Sequence, residues 1–123
     1  MITFEHFHAE DGIPIYLQIV RHIKRGIVSG NVLNGDEVPS RRRLSALLGV
    51  NPNTIQKAYV QLEEEGLMTS HTGAKSYMTL SPQTVAAVRE ELLRADALSV
   101  IEALRQMGLD KAAALSLIET YWK

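Results

Sequence analysis

The chain contains no cysteine, which excludes disulfide scaffolds, thiolate metal sites and cysteine nucleophiles. No apolar run approaches the roughly 20 residues that span a bilayer. Residues 1–11 are mixed polar, acidic and histidine-bearing, unlike a signal peptide. The expected setting is therefore cytoplasmic, with no membrane partner. The sequence also lacks a nucleophile elbow, a phosphate-binding glycine loop and a His-Glu zinc motif. His6, His8, His22, His71 and the Glu63-Glu64-Glu65 run are the available acid/base groups, and they form no catalytic constellation. His6-Phe7-His8 brings two imidazoles close in sequence, but a third and fourth ligand are not evident, and a solvated terminus explains it better. No enzyme activity, metal or cofactor is expected. An excess of positive charge is missing as well: 13 Lys and Arg stand against 14 Asp and Glu, a net charge of −1, which argues against a uniformly polybasic nucleic-acid binder.

That total conceals segregation. Between Arg21 and Lys57 seven basic residues face only Asp36 and Glu37, and Glu63, Glu64 and Glu65 follow immediately. From Ser81 onward five basic residues meet six acidic ones. With 123 residues the chain holds one compact domain, or a small domain with an appendage.

Hydrophobic spacing divides it further. Ile15, Ile19, Ile23 and Ile27 recur every four residues, with Tyr16, Val20 and Val28 widening the stripe, which predicts an amphipathic helix from Pro14 to just before Gly30. A turn-rich connection follows, in which Val32, Leu33 and Val38 can plug the core. Ser40 is placed to cap a short helix patterned by Leu44, Leu47 and Leu48 and stopped at Gly49. Asn51 can cap the next, with Pro52 at its first position and Ile55, Ala58, Tyr59 and Leu62 on one face. Two short helices joined by a tight glycine-bearing turn make a helix-turn-helix. Residues 67–70 and 76–80 flank a polar turn and predict a hairpin, the wing. After Ser81-Pro82, a long helix to about Gln106 carries Val85, Val88, Leu92, Ala95, Leu98, Ile101 and Leu104 on one stripe. Asp110 can cap a last helix bearing Leu117 and Tyr121. Two helices cannot enclose a core alone, so this surface must pack on the first domain or on a second copy.

A recognition helix needs short, polar or cationic residues near its amino end, where they reach base edges and phosphates. Asn51, Asn53, Thr54, Gln56 and Lys57 meet that need, although capping is an equal explanation for Asn51 and Thr54. Arg41, Arg42 and Arg43 open the preceding helix, where cations oppose the helix dipole. Helix stability does not explain them, whereas phosphate contact does. Lys75 at the wing tip is placed either to reach DNA or to be a solvated turn residue.

The residues Pro14-Ile15-Tyr16-Leu17-Gln18-Ile19, Val38-Pro39-Ser40-Arg41-Arg42-Arg43-Leu44, Val50-Asn51-Pro52-Asn53-Thr54-Ile55-Gln56-Lys57-Ala58-Tyr59 and Leu62-Glu63-Glu64-Glu65-Gly66-Leu67 together resemble the GntR family of bacterial transcription regulators. The Asn-Pro-Asn-Thr run and the short tail look like its YtrA-type branch. The resemblance covers about residues 12–79. It implies that Arg42, after Pro-Ser, contacts the operator, that Asn53, Thr54 and Lys57 lie in the recognition helix, and that Gly73 is the first glycine of the wing. The wing departs from the family pattern at Lys75, where a second glycine is usual. The tail, by the same resemblance, is a dimerising helical pair, too short for a sensor domain.

The expectation is thus a mainly α protein with a small β-hairpin: a winged helix-turn-helix domain over residues 1–80 and a two-helix dimerisation segment over residues 81–123. Its partners are a palindromic double-stranded DNA operator and a second copy of the chain, with repression the expected output. The expected DNA-binding residues are Ser40, Arg41, Arg42, Arg43, Asn51, Asn53, Thr54, Gln56, Lys57, Gly73 and Lys75, and the expected dimerisation residues are Val85, Val88, Leu92, Leu98, Ile101, Leu117 and Tyr121. The sequence allows a small-molecule effector but marks no pocket for one. The competing reading is a winged protein-interaction module without specific DNA readout.

Overall fold

The computed structural model of the chain describes residues 1–71 and 75–123. Eight elements follow in order: α1 (Ile15–Ser29), β1 (Glu37–Val38), α2 (Arg41–Leu48), α3 (Pro52–Glu64), β2 (Met68–Ser70), β3 (Ser76–Met78), α4 (Pro82–Gln106) and α5 (Lys111–Tyr121). They fall into two compact units, residues 1–89 and 90–123, with the boundary inside α4. Among the described residues no helix is long and apolar enough to cross a membrane.

In the first unit α1 buries Ile19, Val20, Ile23 and Ile27, and α3 buries Ile55, Ala58, Tyr59 and Leu62, so these members of the predicted stripes form the core, while Ile15, Tyr16 and Val28 are half-buried. α2 contributes only Leu44; Leu47 is 67% exposed and Leu33 58% exposed, contrary to the core roles their spacing suggests. An eight-residue helix presents little more than two turns, and one buried leucine suffices to seat it. Val32 and Val38 do enter the core. The hairpin β2–β3 is antiparallel, with Met68 opposite Met78 and Ser70 opposite Ser76. β1 joins its other edge, Glu37 opposite Tyr77 and Val38 opposite Ser76, giving the order β1-β3-β2. Two residues are too few to show a strand period, so β1 is not visible in the sequence.

The amino-terminal segment is docked rather than frayed. Ile2 and Phe4 are buried, and Phe4 stacks on His22 with ring centroids 4.5 Å apart, while Phe7 meets the same imidazole edge-on. The described residues contain no cluster of three metal-ligating side chains.

Charge is also redistributed relative to the linear count. Lys24 lies in the interior face of α1, and its ammonium pairs with Glu65 at 2.7 Å. It therefore leaves the basic surface, and part of the Glu63–Glu65 run is structural rather than merely solvated. Glu63 accepts a hydrogen bond from the Ser70 hydroxyl.

In the second unit the later turns of α4 and all of α5 lie on either side of a connection through Gly108. Asp110 caps α5 by accepting from the Ala113 N–H at 2.9 Å. α5 buries no residue.

Gly26 lies in the last turn of α1, against which the following chain folds back. The Val32 N–H donates to its carbonyl at 3.0 Å, and a Cβ at position 26 would lie 2.6 Å from Val32 Cγ2. Alanine in a free helix gains about 1 kcal/mol over glycine, but overpacking against a stiff β-branched side chain costs about 1–3 kcal/mol. Gly26→Ala is expected to destabilise by about 1 kcal/mol in urea unfolding, and adding Val32→Ala should remove the penalty specific to Gly26→Ala.

Candidate nucleic-acid interface

Both caps predicted for the helix-turn-helix are formed. Ser40 Oγ accepts from the Arg43 N–H at 3.1 Å, and Asn51 Oδ1 accepts from the Asn53 N–H at 2.8 Å. Between the helices Gly49 sits at φ 68°, a left-handed conformation that glycine adopts without steric cost. Its N–H and that of Val50 both donate to the Ser45 carbonyl, while the Ser45 hydroxyl donates to the Val50 carbonyl. This closes the turn that sets α2 against α3.

Because Ile55, Ala58, Tyr59 and Leu62 fill the inner face of α3, the helical period turns Asn53, Gln56 and Lys57 outward, and all three are exposed. Thr54 is half-buried, as its first-turn position allows. Arg41, Arg42 and Arg43 are exposed at the amino end of α2. Arg41 donates to Gln56 Oε1, linking the arginine run to the recognition helix. A guanidinium has only donors, so this contact turns the Gln56 carbonyl oxygen toward Arg41.

Tyr59 ties the core to the same surface. Its hydroxyl donates to the Pro39 carbonyl at 2.7 Å, one residue before the Ser40 cap. Burial pushes that hydroxyl well above the ordinary tyrosine value, so it remains a donor throughout the neutral range. Beside it, Pro39, Arg41, Arg43, Gln56, Glu63 and Lys75 line a cleft between α2, α3 and the hairpin. Lys75 pairs with Glu37 at 3.2 Å, with both partners exposed. Gly73 lies outside the described residues.

Sequence reasoning missed three participants. Tyr16 has the spacing of the α1 core stripe, yet it is half-buried with its ring under Lys57, the ammonium 4.2 Å from the centroid. Its place at the solvent edge of the stripe was the available signal. Glu37 and the Tyr59–Pro39 bond depend on long-range packing and left no local trace.

The geometry is that of a winged helix-turn-helix with a polar, cation-bearing recognition surface. The chain matches the family model described as "Bacterial regulatory proteins, gntR family" over residues 15–77, and it belongs to that family. It is 33% identical over 97 residues to the transcriptional repressor YtrA of Bacillus subtilis, covering 79% of this chain and 70% of that protein. A GntR family regulator from Listeria monocytogenes has a similar structure, with a TM-score of 0.79 and 30% identity over 91% of this chain and 98% of that one. The DNA-binding domain of AraR in complex with its operator ORX1 is also similar, with a TM-score of 0.52 and 28% identity over 63% of this chain and 93% of that one. The protein is a DNA-binding transcription regulator of the GntR family rather than an enzyme.

Tyr59→Phe should lower stability at neutral pH by about 1 kcal/mol, the net worth of one hydrogen bond. Since the folded hydroxyl titrates above the unfolded one, the unfolded state alone loses this proton as pH rises past about 10, and stability falls. Urea unfolding against pH should show a shallower alkaline fall in Tyr59→Phe than in the wild type.

Proposed function

We propose that the protein acts in the cytoplasm as a homodimeric repressor on a palindromic operator, with α3 in the major groove. The observation that carries this reading is the exposed row Asn53, Gln56 and Lys57 beside the arginines that open α2. Asn and Gln suit adenine and Lys suits guanine or phosphate, while arginine forks at a helix amino terminus suit phosphate. Ser40 and Asn51 act mainly through their caps, which aim the helix amino termini at the backbone, and Thr54 supports the first turn of α3. Lys75 and Gly73 belong to the wing contact, in which Lys75 exchanges Glu37 for a phosphate. The repressor named YtrA is similar over most of its length, which supports repression as the output.

The domain division proposed is a winged module through residue 80 followed by a dimerising tail. Support for dimerisation comes from the second unit. Leu98, Ile101, Leu117 and Tyr121 are exposed apolar residues, with Tyr121 at 73% and the adjacent Trp122 at 81%. Ile101, Leu104, Leu109, Ala114, Leu115 and Ile118 line a groove between α4 and α5. So much contiguous apolar surface marks an interaction face, and a second copy satisfies it with twofold symmetry matched to a palindrome. Val88 and Leu92 are already buried within the chain and Val85 is half-buried. These three therefore add little area to an interface, and the dimer surface is drawn from the residues further along.

Two measurements test the reading. Arg42→Ala should weaken binding to all duplexes about equally and reduce the salt dependence, while Asn53→Ala and Lys57→Ala should each cost about 1–3 kcal/mol more on the selected operator than on random DNA. Equal losses on both duplexes for all three variants would remove the base-reading assignment. In sedimentation equilibrium the wild type should be a dimer, and Ile101→Glu combined with Leu117→Glu should be a monomer; a persisting dimer would place the interface elsewhere.

A further inference from the structure

The geometry points to Tyr16 as a positioning residue for Lys57, and hence as a determinant of operator specificity supplied from outside the helix-turn-helix. This inference rests on the reading above that Lys57 reads the operator.

Lys57 is exposed on α3, where a four-carbon stem ending in a strongly hydrated charge would ordinarily sample many rotamers. Here its ammonium stands over the face of the Tyr16 ring, 4.2 Å from the centroid. The ring's negative face attracts the cation, and the contact holds Lys57 toward the start of α1. Tyr16 is itself held, because it lies in the first turn of α1 beside Gln18. That side chain donates to the Glu10 and Ile13 carbonyls at 2.9 and 2.8 Å and accepts from the Glu10 N–H at 2.7 Å. The entry to α1 is thus fastened by a buried glutamine, which holds in place the backbone that carries the half-buried ring. Among the described residues the Tyr16 hydroxyl makes no hydrogen bond. The ring face is therefore the functional part, and phenylalanine should replace it.

The consequence concerns discrimination more than gross affinity. A lysine free to swing finds a phosphate on any duplex, and that contact carries no sequence information. A lysine restrained over Tyr16 presents its charge at one place relative to Asn53 and Gln56. Its benefit appears only where the base edge or phosphate at that place is the right one. A hydrogen bond restrains a second neighbour: Arg41 donates to Gln56, so two of the exposed polar residues of α3 are each held by a residue of a different helix.

The test uses the full-length protein, a duplex that it selects from a randomised library and a scrambled duplex of equal length. Tyr16→Leu, with Tyr16→Met as a second variant, is expected to reduce affinity for the selected duplex about two- to five-fold, the worth of an exposed cation–π contact. The scrambled duplex should be bound as before, and Tyr16→Phe should behave as the wild type. In a Lys57→Ala background Tyr16→Leu should have no further effect. Thermal unfolding selects the variants that retain the fold. If Lys57→Ala leaves binding to the selected duplex unchanged, or the library yields no consensus, the operator-reading assignment of Lys57 fails and this inference with it. If Lys57→Ala weakens binding while Tyr16→Leu and Tyr16→Met do not, the positioning role alone is overturned. It is equally overturned if Tyr16→Phe loses as much as Tyr16→Leu, or if the Tyr16→Leu effect survives in the Lys57→Ala background.

Discussion

The packing of α3 against α1 is the constraint on which the candidate interface depends. Ile55, Ala58 and Leu62 are fully buried, as is Ile19, with Ile23 nearly so. A rotation of α3 about its axis would expose apolar side chains worth about 1.5–3 kcal/mol each when buried. The phase of the helix is therefore fixed, and with it the outward direction of Asn53, Gln56 and Lys57. Tyr59 extends the same constraint to α2: it belongs to the buried face of α3, yet its hydroxyl holds the Pro39 carbonyl just ahead of the Ser40 cap. The core positions both helices of the motif, and the polar surface has its geometry because of what lies beneath it.

Electrostatics in this domain work against local stability. Three arginines at the amino end of α2 oppose the helix dipole, each at a cost of about 0.3–1 kcal/mol where exposed. The Ser40 cap contributes about 1 kcal/mol in the other direction, and the single buried Leu44 anchors the helix. Lys24 shows the opposite arrangement: a cation taken into the fold and paired with Glu65. The distinction between these cations is invisible in a net charge of −1, yet it separates a surface suited to phosphate from an internal tie between α1 and the end of α3.

Much of the winged module was legible because its signals are local. The four-residue recurrence of isoleucine, the capping Ser40 and Asn51, Pro52 at a first helical position and the stop at Gly49 each report on neighbours within one or two turns. The family resemblance then assigned Arg42, Asn53 and Lys57 to the DNA-facing side. What the sequence withheld depends on distant partners. β1 is a strand only because β3 lies beside it, and the docking of Phe4 on His22 requires α1 to be in place first. Leu47 shows the reverse failure, since its spacing fits a core stripe but it stands 67% exposed on the short α2. Tyr16 combines both, with a periodicity that reads as core and a ring face that meets Lys57.

The number of exposed polar residues on α3 bears on what a second copy would add. One module exposes Asn53, Gln56 and Lys57, which on the proposed reading would meet base edges, and a good pairing discriminates by about 1–3 kcal/mol. Specific binding against a genome of roughly 10⁶–10⁹ competing sites requires discrimination of several orders of magnitude, about 4–10 kcal/mol in typical regulators. Three contacts together supply about 3–9 kcal/mol, so the upper part of that range is reached only if each is near its upper limit, which is favoured by side chains held in place before DNA arrives. A second module would relax the demand per contact, and the proposed restraint of Gln56 and Lys57 would raise the return from each. On the proposed reading, the exposed apolar residues of the second unit and the contacts of Arg41 and Tyr16 answer one shortage of readable contacts, the first by multiplying readers and the second by ordering them.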